Sequence, residues 1–334
     1  MAEGNGVEPD CGENGGGVPV SGIAPMPSVV SIGIPCYNAA QWITAAVRSA
    51  LEQTWTETEV IVVDDGSTDG TLDVLREFGD AIRVEEAPHG GANSARNLIL
   101  QLAQGEWVQY IDADDYLRKE KIEKQFEEAG NPGEADVIYS PILLEYWKDG
   151  QALPLEVEPI ESGTDIYTQL LRWQLPQTSG ALWRRTALDA IGGWDENPTQ
   201  LCDEHDCYFR AIKTDMRFIF APTPNAVYRI WSEETRSHSN QRPVICSRTA
   251  LCEALRDWLV ARGEWTPAHQ EVLGRSFLEM ARTLASRDLN FAARYHSKRK
   301  GDIHLAGPAA PKTYQLVYRT LGFRAAELVA RTLR

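Results

Sequence analysis

Several features that define particular protein classes are missing or sparse in this sequence of 334 residues. It contains no run of eighteen apolar residues, which argues against a transmembrane helix, and its first residues lack the basic and then apolar pattern of a secretory signal. We therefore expect a cytoplasmic protein. Basic residues number 33 against 48 acidic ones, for a net charge of −15. This balance argues against a nucleic-acid-binding protein, because phosphate backbones attract surfaces rich in Lys and Arg.

Cysteine is also scarce, with six residues in the whole chain. That number is too small for a disulfide scaffold in a chain of this size. Cys202, His205 and Cys207 are close in sequence, but their spacing matches no common zinc site. We interpret these thiols as buried or incidental.

Lysine is absent before Lys119. This excludes a phosphate-binding Walker loop, which needs its own lysine, from the first third of the chain. A diphosphate bound there has to be neutralised by a metal ion, by Arg96 or by backbone N–H groups. The glycines near the N-terminus do not form a dinucleotide-binding motif, since no strand precedes them and no helix follows.

Composition divides the chain into three segments. Residues 1–27 are rich in Gly, Pro and acids and nearly free of large apolar residues, so we expect a disordered tail. Residues 28–240 are expected to form the main α/β domain. Residues 241–334 show only helical periodicity, at 244–262, 266–289 and 313–333.

The main segment alternates short apolar runs with helical patterns. VVSIGI (29–34), EVIVVDD (59–65), IRVEEA (82–87) and EWVQYI (106–111) are typical of buried strands, and helical patterns follow each of them. Repeated strand–helix units of this length predict a doubly wound, mostly parallel sheet. Further strands are expected at DVIYSPILLEYW (136–147), SGALWRR, RFIFAP and NAVYRIW, around a helix at DEHDCYFRAIKT.

Carboxylates follow the predicted strands. Asp65 ends the second strand, and Asp112, Asp114 and Asp115 follow the fourth. In an open parallel sheet such strand ends meet in one crevice. Capping of the next helix explains Asp69 and would explain any single acid, but one helix end does not need a cluster. Clustered hard oxygens with a diphosphate suit Mg²⁺ or Mn²⁺.

Four motifs in matching order resemble the nucleotide-binding half of the family 2 inverting glycosyltransferases with the GT-A fold. They are SIGIPCYNA, EVIVVDDGSTDGT, GANSARNLIL and QYIDADD. The resemblance is close from residue 29 to residue 115 and looser to about residue 240. By this resemblance, Pro35, Tyr37 and Asn38 would line the nucleoside pocket, and Asp65 would accept a hydrogen bond from the base.

The same resemblance implies roles around the diphosphate. Arg96 would approach the diphosphate, Asp112 would face the ribose, and Asp114, the second acid of the Asp-x-Asp motif, would bind the metal.

A later match, GGWDENPTQLCDEHDCYFRA (192–211), implies the catalytic base. The family carries an acidic pair there whose second member is the base, which places Asp203 and Glu204 at the pair and Glu204 in the base position. The order here is Asp then Glu, the reverse of the commoner one. On a helix Asp203 and Asp206 share a face while Glu204 points elsewhere, so only one set can face the crevice. Without the resemblance, these acids would be interpreted as complementing the helix dipole.

The implied reaction is metal-assisted transfer of a sugar, with inversion, from a nucleotide-diphosphate sugar to an acceptor hydroxyl. A UDP-sugar is the commonest donor, and the acceptor is a carbohydrate, lipid-linked or protein hydroxyl. The main alternative is a noncatalytic scaffold that binds nucleotide sugars; a nucleotidyltransferase is disfavoured by the lysine-free first third. Four tryptophans are candidates for a platform that stacks on the acceptor: Trp173, Trp183, Trp194 and Trp231.

The C-terminal stretch reverses the charge of the chain. From Phe291 onward it carries nine basic and two acidic residues. A basic amphipathic segment can lie on the anionic inner face of a membrane. The alternative is a helical cap whose basic face packs on the acidic core.

Overall fold

The computed structural model describes residues 1, 28–130, 132–197, 199, 201–231 and 241–332. The predicted disordered tail, residues 1–27, lies outside the described residues except for Met1. The strands are β1 (Val30–Cys36), β2 (Thr58–Asp64), β3 (Arg83–Glu86), β4 (Trp107–Tyr110), β5 (Tyr116–Leu117), β6 (Val137–Tyr139), β7 (Ile142–Lys148), β8 (Gln151–Ala152), β9 (Glu156–Glu158), β10 (Ala181–Arg184), β11 (Phe218–Phe220) and β12 (Ala226–Ile230).

The helices of the described residues lie between and after these strands. They are α1 (Ile43–Leu51), α2 (Thr71–Arg76), α3 (Ala92–Leu102), α4 (Lys121–Ala129), α5 (Ile166–Arg172), α6 (Arg185–Ala190), α7 (Asp203–Lys213), α8 (Gln241–Arg262), α9 (Pro267–Arg287), α10 (Leu289–Arg299) and α11 (Lys312–Thr332). Short 3₁₀ turns occur at Gly79–Ala81, Pro132–Glu134 and Thr178–Gly180.

The larger sheet has seven strands in the order β11-β6-β10-β4-β1-β2-β3. Its β4-β1-β2-β3 half is parallel throughout, β10 runs antiparallel to both β4 and β6, and β11 is parallel to β6. The prediction of a mostly parallel, doubly wound α/β fold followed by helices is confirmed. Because β1, β2 and β4 are neighbours and point the same way, their carboxyl ends lie side by side at one edge.

The side chains of β2 alternate between two hydrophobic clusters, one on each face of this sheet. Ile61 and Val63 belong to one hydrophobic cluster, whereas Val60 and Val62 belong to another. Successive side chains of a strand point to opposite faces, so both faces are packed against helices.

A smaller sheet joins β5, β12, β7 and β8, and β9 also pairs with β7, on the edge away from β12. The expectation of one strand over residues 136–147 is wrong, because the chain leaves the larger sheet after β6 and enters the smaller one at β7. The break falls at Ser140 and Pro141. Ser140 N donates to Gly180 O at 3.1 Å, and Pro141 has no N–H to continue a ladder.

Residues 241–332 are helical, and their apolar side chains extend the core of the sheet. Ile245, Leu273 and Phe277 belong to the same cluster as Val108 and Tyr139. Helix α10 was not expected from periodicity. No helix in the described part of the chain combines the length and apolar character needed to cross a bilayer.

Candidate active site

A cavity of about 590 Å³ opens at the carboxyl ends of β1, β2 and β4. Nine site residues were predicted from the sequence. Six of them line the cavity: Pro35, Tyr37, Asn38, Asp65, Asp112 and Asp114. The other three, Arg96, Asp203 and Glu204, do not line it. The three strand ends thus form a single site, as expected for a parallel sheet.

Hydrogen bonds connect the loops that follow β1 and β2. Asn38 N donates to Ser67 Oγ at 2.8 Å, and Asn38 Oδ1 accepts from Thr68 N at 2.8 Å. Asn38 itself has a positive φ of 49°, a conformation that asparagine tolerates better than most residues. The reciprocal bonds fix the two loops relative to each other.

Asp65 is 3% exposed and is held by the loop after β3. Its two carboxylate oxygens accept from the N–H groups of Gly90 and Gly91 at 2.7 and 2.9 Å. Gly91 has a φ of 93°, which favours glycine at this position. A carboxylate has about four acceptor positions, so these bonds leave capacity for a further donor. Acceptance from a nucleoside base stays a prediction.

His89 is a cavity residue that sequence reasoning missed. Its ring stacks on Tyr37 with centroids 4.2 Å apart, and its Nδ1 lies 2.9 Å from Asp65 Oδ2. The sequence did offer one signal for His89: it follows β3, which is parallel to β2 and next to it, so its position is near the same sheet edge. Tyr37 and His89 together present an aromatic surface on the same side of the cavity as Asp65.

Arg96 lies on α3 beside the Asp112–Asp115 motif. It is 4% exposed, and its Nη2 donates to Asp112 Oδ1 at 2.6 Å while its Nη1 donates to Asn93 Oδ1 at 2.9 Å. Burial alone would lower the pKa of Arg96, but the carboxylates of Asp112 and Glu204 outweigh burial and raise it. The guanidinium is therefore a permanent cation that holds Asp112. A direct contact between Arg96 and a diphosphate stays a prediction.

The last two acids of the DADD motif have different environments. Asp115 is buried, and its carboxylate accepts from Arg229 N on β12 at 2.9 Å. Asp114 lines the cavity, and Arg229 Nε donates to its backbone carbonyl. Burial, and then the charge of Asp112, raises the pKa of Asp114. Asp115 thus joins the two sheets, and Asp114 faces the ligand space.

The donor set fits a divalent cation that binds together with a diphosphate. Among the described residues no group of three or more His, Cys, Asp or Glu side chains is arranged to hold a metal ion. Mg²⁺ and Mn²⁺ are commonly held by one or two carboxylates plus phosphate oxygens and water. Burial, and then the charge of Asp112, disfavours the ionised form of Asp114 and so raises its pKa, and a cation beside the carboxylate would oppose that effect.

Helix α7 orients Glu204 and Asp206 differently. Glu204 Oε1 accepts a hydrogen bond of 2.7 Å from Thr178 Oγ1, and Thr178 Oγ1 lies 3.4 Å from Arg96 Nη2. Asp206 instead pairs with Arg210 at 2.7 Å. Of Glu204 and Asp206, only Glu204 is directed toward the Arg96–Asp112 pair.

The residues flanking Glu204 form packing contacts. His205 is buried and stacks on Trp173 with centroids 3.6 Å apart, and burial lowers its pKa to about 3. Cys202 and Cys207 are buried, and their thiols lie against the carbonyl oxygens of Val244 and Gly193.

None of the four candidate tryptophans itself lines the cavity. Trp183 and Trp194 are 2% and 3% exposed, and Trp173 stacks on His205. Trp231 differs, because it stacks at 3.7 Å on Trp42, which lines the cavity. A tryptophan platform, if the chain uses one, is therefore best placed at Trp231.

Comparison with known proteins agrees with this geometry. Residues 31–190 match the model of glycosyl transferase family 2. A putative teichuronic acid biosynthesis glycosyltransferase, TuaG, from Bacillus subtilis is 42% identical over 106 residues, which are 30% of this chain and 41% of the relative. Chondroitin synthase from Pasteurella multocida is 42% identical over 98 residues, 28% of this chain and 10% of that enzyme. The matched stretch thus spans less than half of each of these relatives.

Solved structures share the fold over most of the chain. Residues 1–349 of TarS from Staphylococcus aureus superpose with a TM-score of 0.60 at 18% identity and cover 92% of both chains. The mannosyltransferase PcManGT from Pyrobaculum calidifontis, solved with GDP-Man and Mn²⁺, gives a TM-score of 0.51 at 19% identity, over 92% of this chain and 87% of that one. The matched segment, residues 31–190, is thus a glycosyl transferase family 2 segment.

Proposed function

We propose that the protein transfers a sugar from a nucleotide-diphosphate sugar to an acceptor hydroxyl, with inversion and with the assistance of Mg²⁺ or Mn²⁺. The observation that carries this proposal is the single cavity that gathers Asp65 from the end of β2 and Asp112 and Asp114 from the end of β4. Loops at this edge of a doubly wound sheet are the usual place for a nucleotide.

The donor would bind across the β1, β2 and β4 ends. Tyr37 and Asn38 would contact the nucleoside, Asp65 would accept from its base, and Asp112, fixed by Arg96, would face the ribose. UDP is the proposed nucleotide, because relatives include a UDP-Glc-dependent glucosyltransferase and the TarS fold is known with UDP-GlcNAc bound. PcManGT is bound to GDP-Man, so GDP is the competitor to test.

Positive charge at the leaving group is the second requirement. Among the described residues that line the cavity there is no Lys or Arg. Asp114 would hold the divalent cation, which supplies the charge that neutralises the departing diphosphate. Asp112 is already neutralised by Arg96, which leaves Asp114 as the carboxylate available for the cation.

Glu204 is the proposed general base. The acceptor hydroxyl oxygen would form a bond to the anomeric carbon as the carbon–oxygen bond to the diphosphate breaks on the opposite face. The hydroxyl proton would pass to the Glu204 carboxylate, and the bonding electron pair would leave with the diphosphate. A carboxylate fixed by Thr178 and near the Arg96–Asp112 pair is suited to this role. Asp203 is its neighbour in the acidic pair and the alternative base.

The acceptor is proposed to be a hydroxyl of a carbohydrate or lipid-linked carbohydrate, as in the names of several relatives. A protein hydroxyl is the remaining possibility.

Calorimetry with UDP and Mn²⁺ tests the proposal. Asp114→Ala is expected to weaken binding of UDP with Mn²⁺ by at least about tenfold, since it removes the metal carboxylate. The matched control is Asp73→Ala, on an exposed side chain of α2. Equal affinity of Asp114→Ala and the parent protein would refute the metal site.

Turnover separates an enzyme from a scaffold. Incubation with UDP-sugars and Mn²⁺ should release UDP slowly even without acceptor, because water can take the place of the hydroxyl. Tight binding of every donor tested without any release of UDP or GDP would favour the noncatalytic scaffold.

A further inference from the structure

A second charged cavity lies between α10 and α11, formed by residues outside the donor site. It measures about 660 Å³. Its lining includes four exposed basic side chains and no acidic one; the four are Arg294, Lys300, Arg319 and Arg324. In a chain with a net charge of −15, such a local excess of one sign is unusual.

These four cations are not neutralised by the described part of the protein. None of them forms an ion pair with a described acidic residue, and Arg324 donates only to the neutral Asn290 Oδ1, at 2.9 Å. Arg299, which lies on α10 like Arg294, does pair with Glu253, at 2.8 Å. Packing of basic residues on the acidic core therefore accounts for Arg299 but not for the four side chains of this cavity.

One exposed large apolar side chain borders the same cavity, and a second lies on the same helix. Gly322 interrupts α11 with φ 82° and ψ 177°, and Leu321 beside it lines the cavity and is 71% exposed. Leu316, which precedes Leu321 on α11, is 66% exposed. Large apolar side chains next to unpaired cations are typical of segments that lie in a lipid–water interface.

We propose that this surface, defined by Arg294, Lys300, Arg319, Arg324 and Leu321, docks on an anionic lipid membrane. The four cations would bind headgroup phosphates, and Leu321 and Leu316 would enter the interface. A free phosphate would explain the cations but not the exposed leucines. The proposal does not depend on the transfer reaction, so its test needs no donor.

Sedimentation of the full-length protein with vesicles tests it. The protein is expected to bind phosphatidylcholine vesicles that contain phosphatidylglycerol and not to bind pure phosphatidylcholine. Each basic side chain near such a surface contributes appreciably, so R319E/R324E should lower the partition coefficient by at least about tenfold. The control R76E/R83E reverses the same number of charges on exposed side chains of α2 and β3 and should bind like the parent.

An uncharged substitution separates the apolar contribution. Leu321→Ser should weaken vesicle binding severalfold, whereas Leu153→Ser, at a leucine that is 45% exposed, should not. Thermal melting of every variant, together with the milder R319Q/R324Q, establishes that losses do not arise from unfolding.

Three outcomes would overturn the proposal. They are equal binding by the parent and R319E/R324E, equal binding to both kinds of vesicle, and a melting shift with inorganic phosphate in a parent protein that does not sediment with anionic vesicles. The last result would assign the cavity to a soluble anion.

Discussion

The hydroxyl of Thr178 donates a 2.7 Å hydrogen bond to Glu204 Oε1. Thr178 lies in the 3₁₀ turn before β10, and the same oxygen is 3.4 Å from Arg96 Nη2, which holds Asp112. One short chain of polar contacts thus connects Asp112, which lines the cavity at the strand ends, with the proposed base.

Thr178→Val is expected to lower kcat by about ten- to a hundredfold, because a hydrogen bond to a charged group contributes about 1.5–3 kcal/mol. Binding of UDP with Mn²⁺ should change little. Thr178→Ser keeps the hydroxyl and should restore most of the activity. A Val variant that is as active as the parent, or a Ser variant as impaired as Val, would exclude this positioning role.

Glu204→Gln should reduce sugar transfer by about 10²- to 10⁴-fold, the usual contribution of a general base. Affinity for UDP and Mn²⁺ should stay close to that of the parent. Asp203→Asn tests the alternative base and should cost less. If Asp203→Asn is the more damaging change, the assignment within the acidic pair is reversed.

Asp206→Asn provides a structural comparison on the same helix. Asp206 pairs with Arg210, whose Nη1 donates to the carbonyls of Ile191 and Gly193 at 2.6 Å. This substitution should lower the melting temperature while leaving kcat of the folded protein near the parent value.

Asp115 is expected to affect stability more than donor binding. Asp115→Ala leaves the buried N–H of Arg229 without its acceptor and should cost about 1–3 kcal/mol in the free energy of unfolding. Burial, and then Asp114, raises the pKa of Asp115, so its charge is itself unfavourable in the folded protein. Asp115→Asn keeps an acceptor without the charge and should be more stable than Asp115→Ala in urea denaturation. Equal stability of the two variants would contradict this.

His205 should make the protein less stable in acid. Burial lowers its folded pKa from 6.5 to about 3, so between these values the unfolded chain binds a proton that the folded protein does not. Stability contributed by the neutral ring is present above pH 6.5 and is lost as the pH falls toward 3, by about 1.4 kcal/mol per pH unit.

His205→Phe keeps a ring to stack on Trp173 and removes this titration. Between pH 6.5 and 4.5, the unfolding free energy of the variant should therefore gain about 2–3 kcal/mol relative to the parent. Parallel pH profiles of the two proteins would show that His205 does not titrate as the structure indicates.

Much of the larger sheet was predictable because its strands are local apolar runs. VVSIGI, EVIVVDD and EWVQYI form β1, β2 and β4, and the parallel pairing of β2 and β4 with β1 brings Asp65 and Asp114 to one cavity as expected. The division of residues 136–147 between two sheets was not predictable, because it depends on Ser140 bonding to Gly180, forty residues away.

Site residues outside the motifs were also not predictable from the sequence. Thr178 acquires its role only when a 3₁₀ turn and α7 meet, and no local pattern marks such a contact. The missed helix α10 did carry a signal, since the Asp288 side chain accepts from Phe291 N and caps its first turn. The many basic residues that follow obscured its apolar face.

The boundary proposed at residue 240 separates patterns in the sequence, but the core is continuous across it. Ser276 Oγ on α9 donates to Leu171 O on α5 at 2.6 Å, and Phe277 is fully buried. A fragment of residues 28–240 should therefore lack a cooperative thermal transition, whereas the full chain should show one. A well-folded fragment that binds UDP and Mn²⁺ would establish the boundary as a true domain limit.

The uneven distribution of charge has a consequence for how the molecule approaches a charged surface. Only two of its 48 acidic side chains follow Phe291, together with nine of its 33 basic ones. An anionic bilayer would attract this end and repel the remainder within a Debye length, about 8 Å at physiological salt. These opposite forces would turn the C-terminal end toward the bilayer before any contact forms. Binding to vesicles should therefore be oriented, and it should weaken as the salt concentration rises.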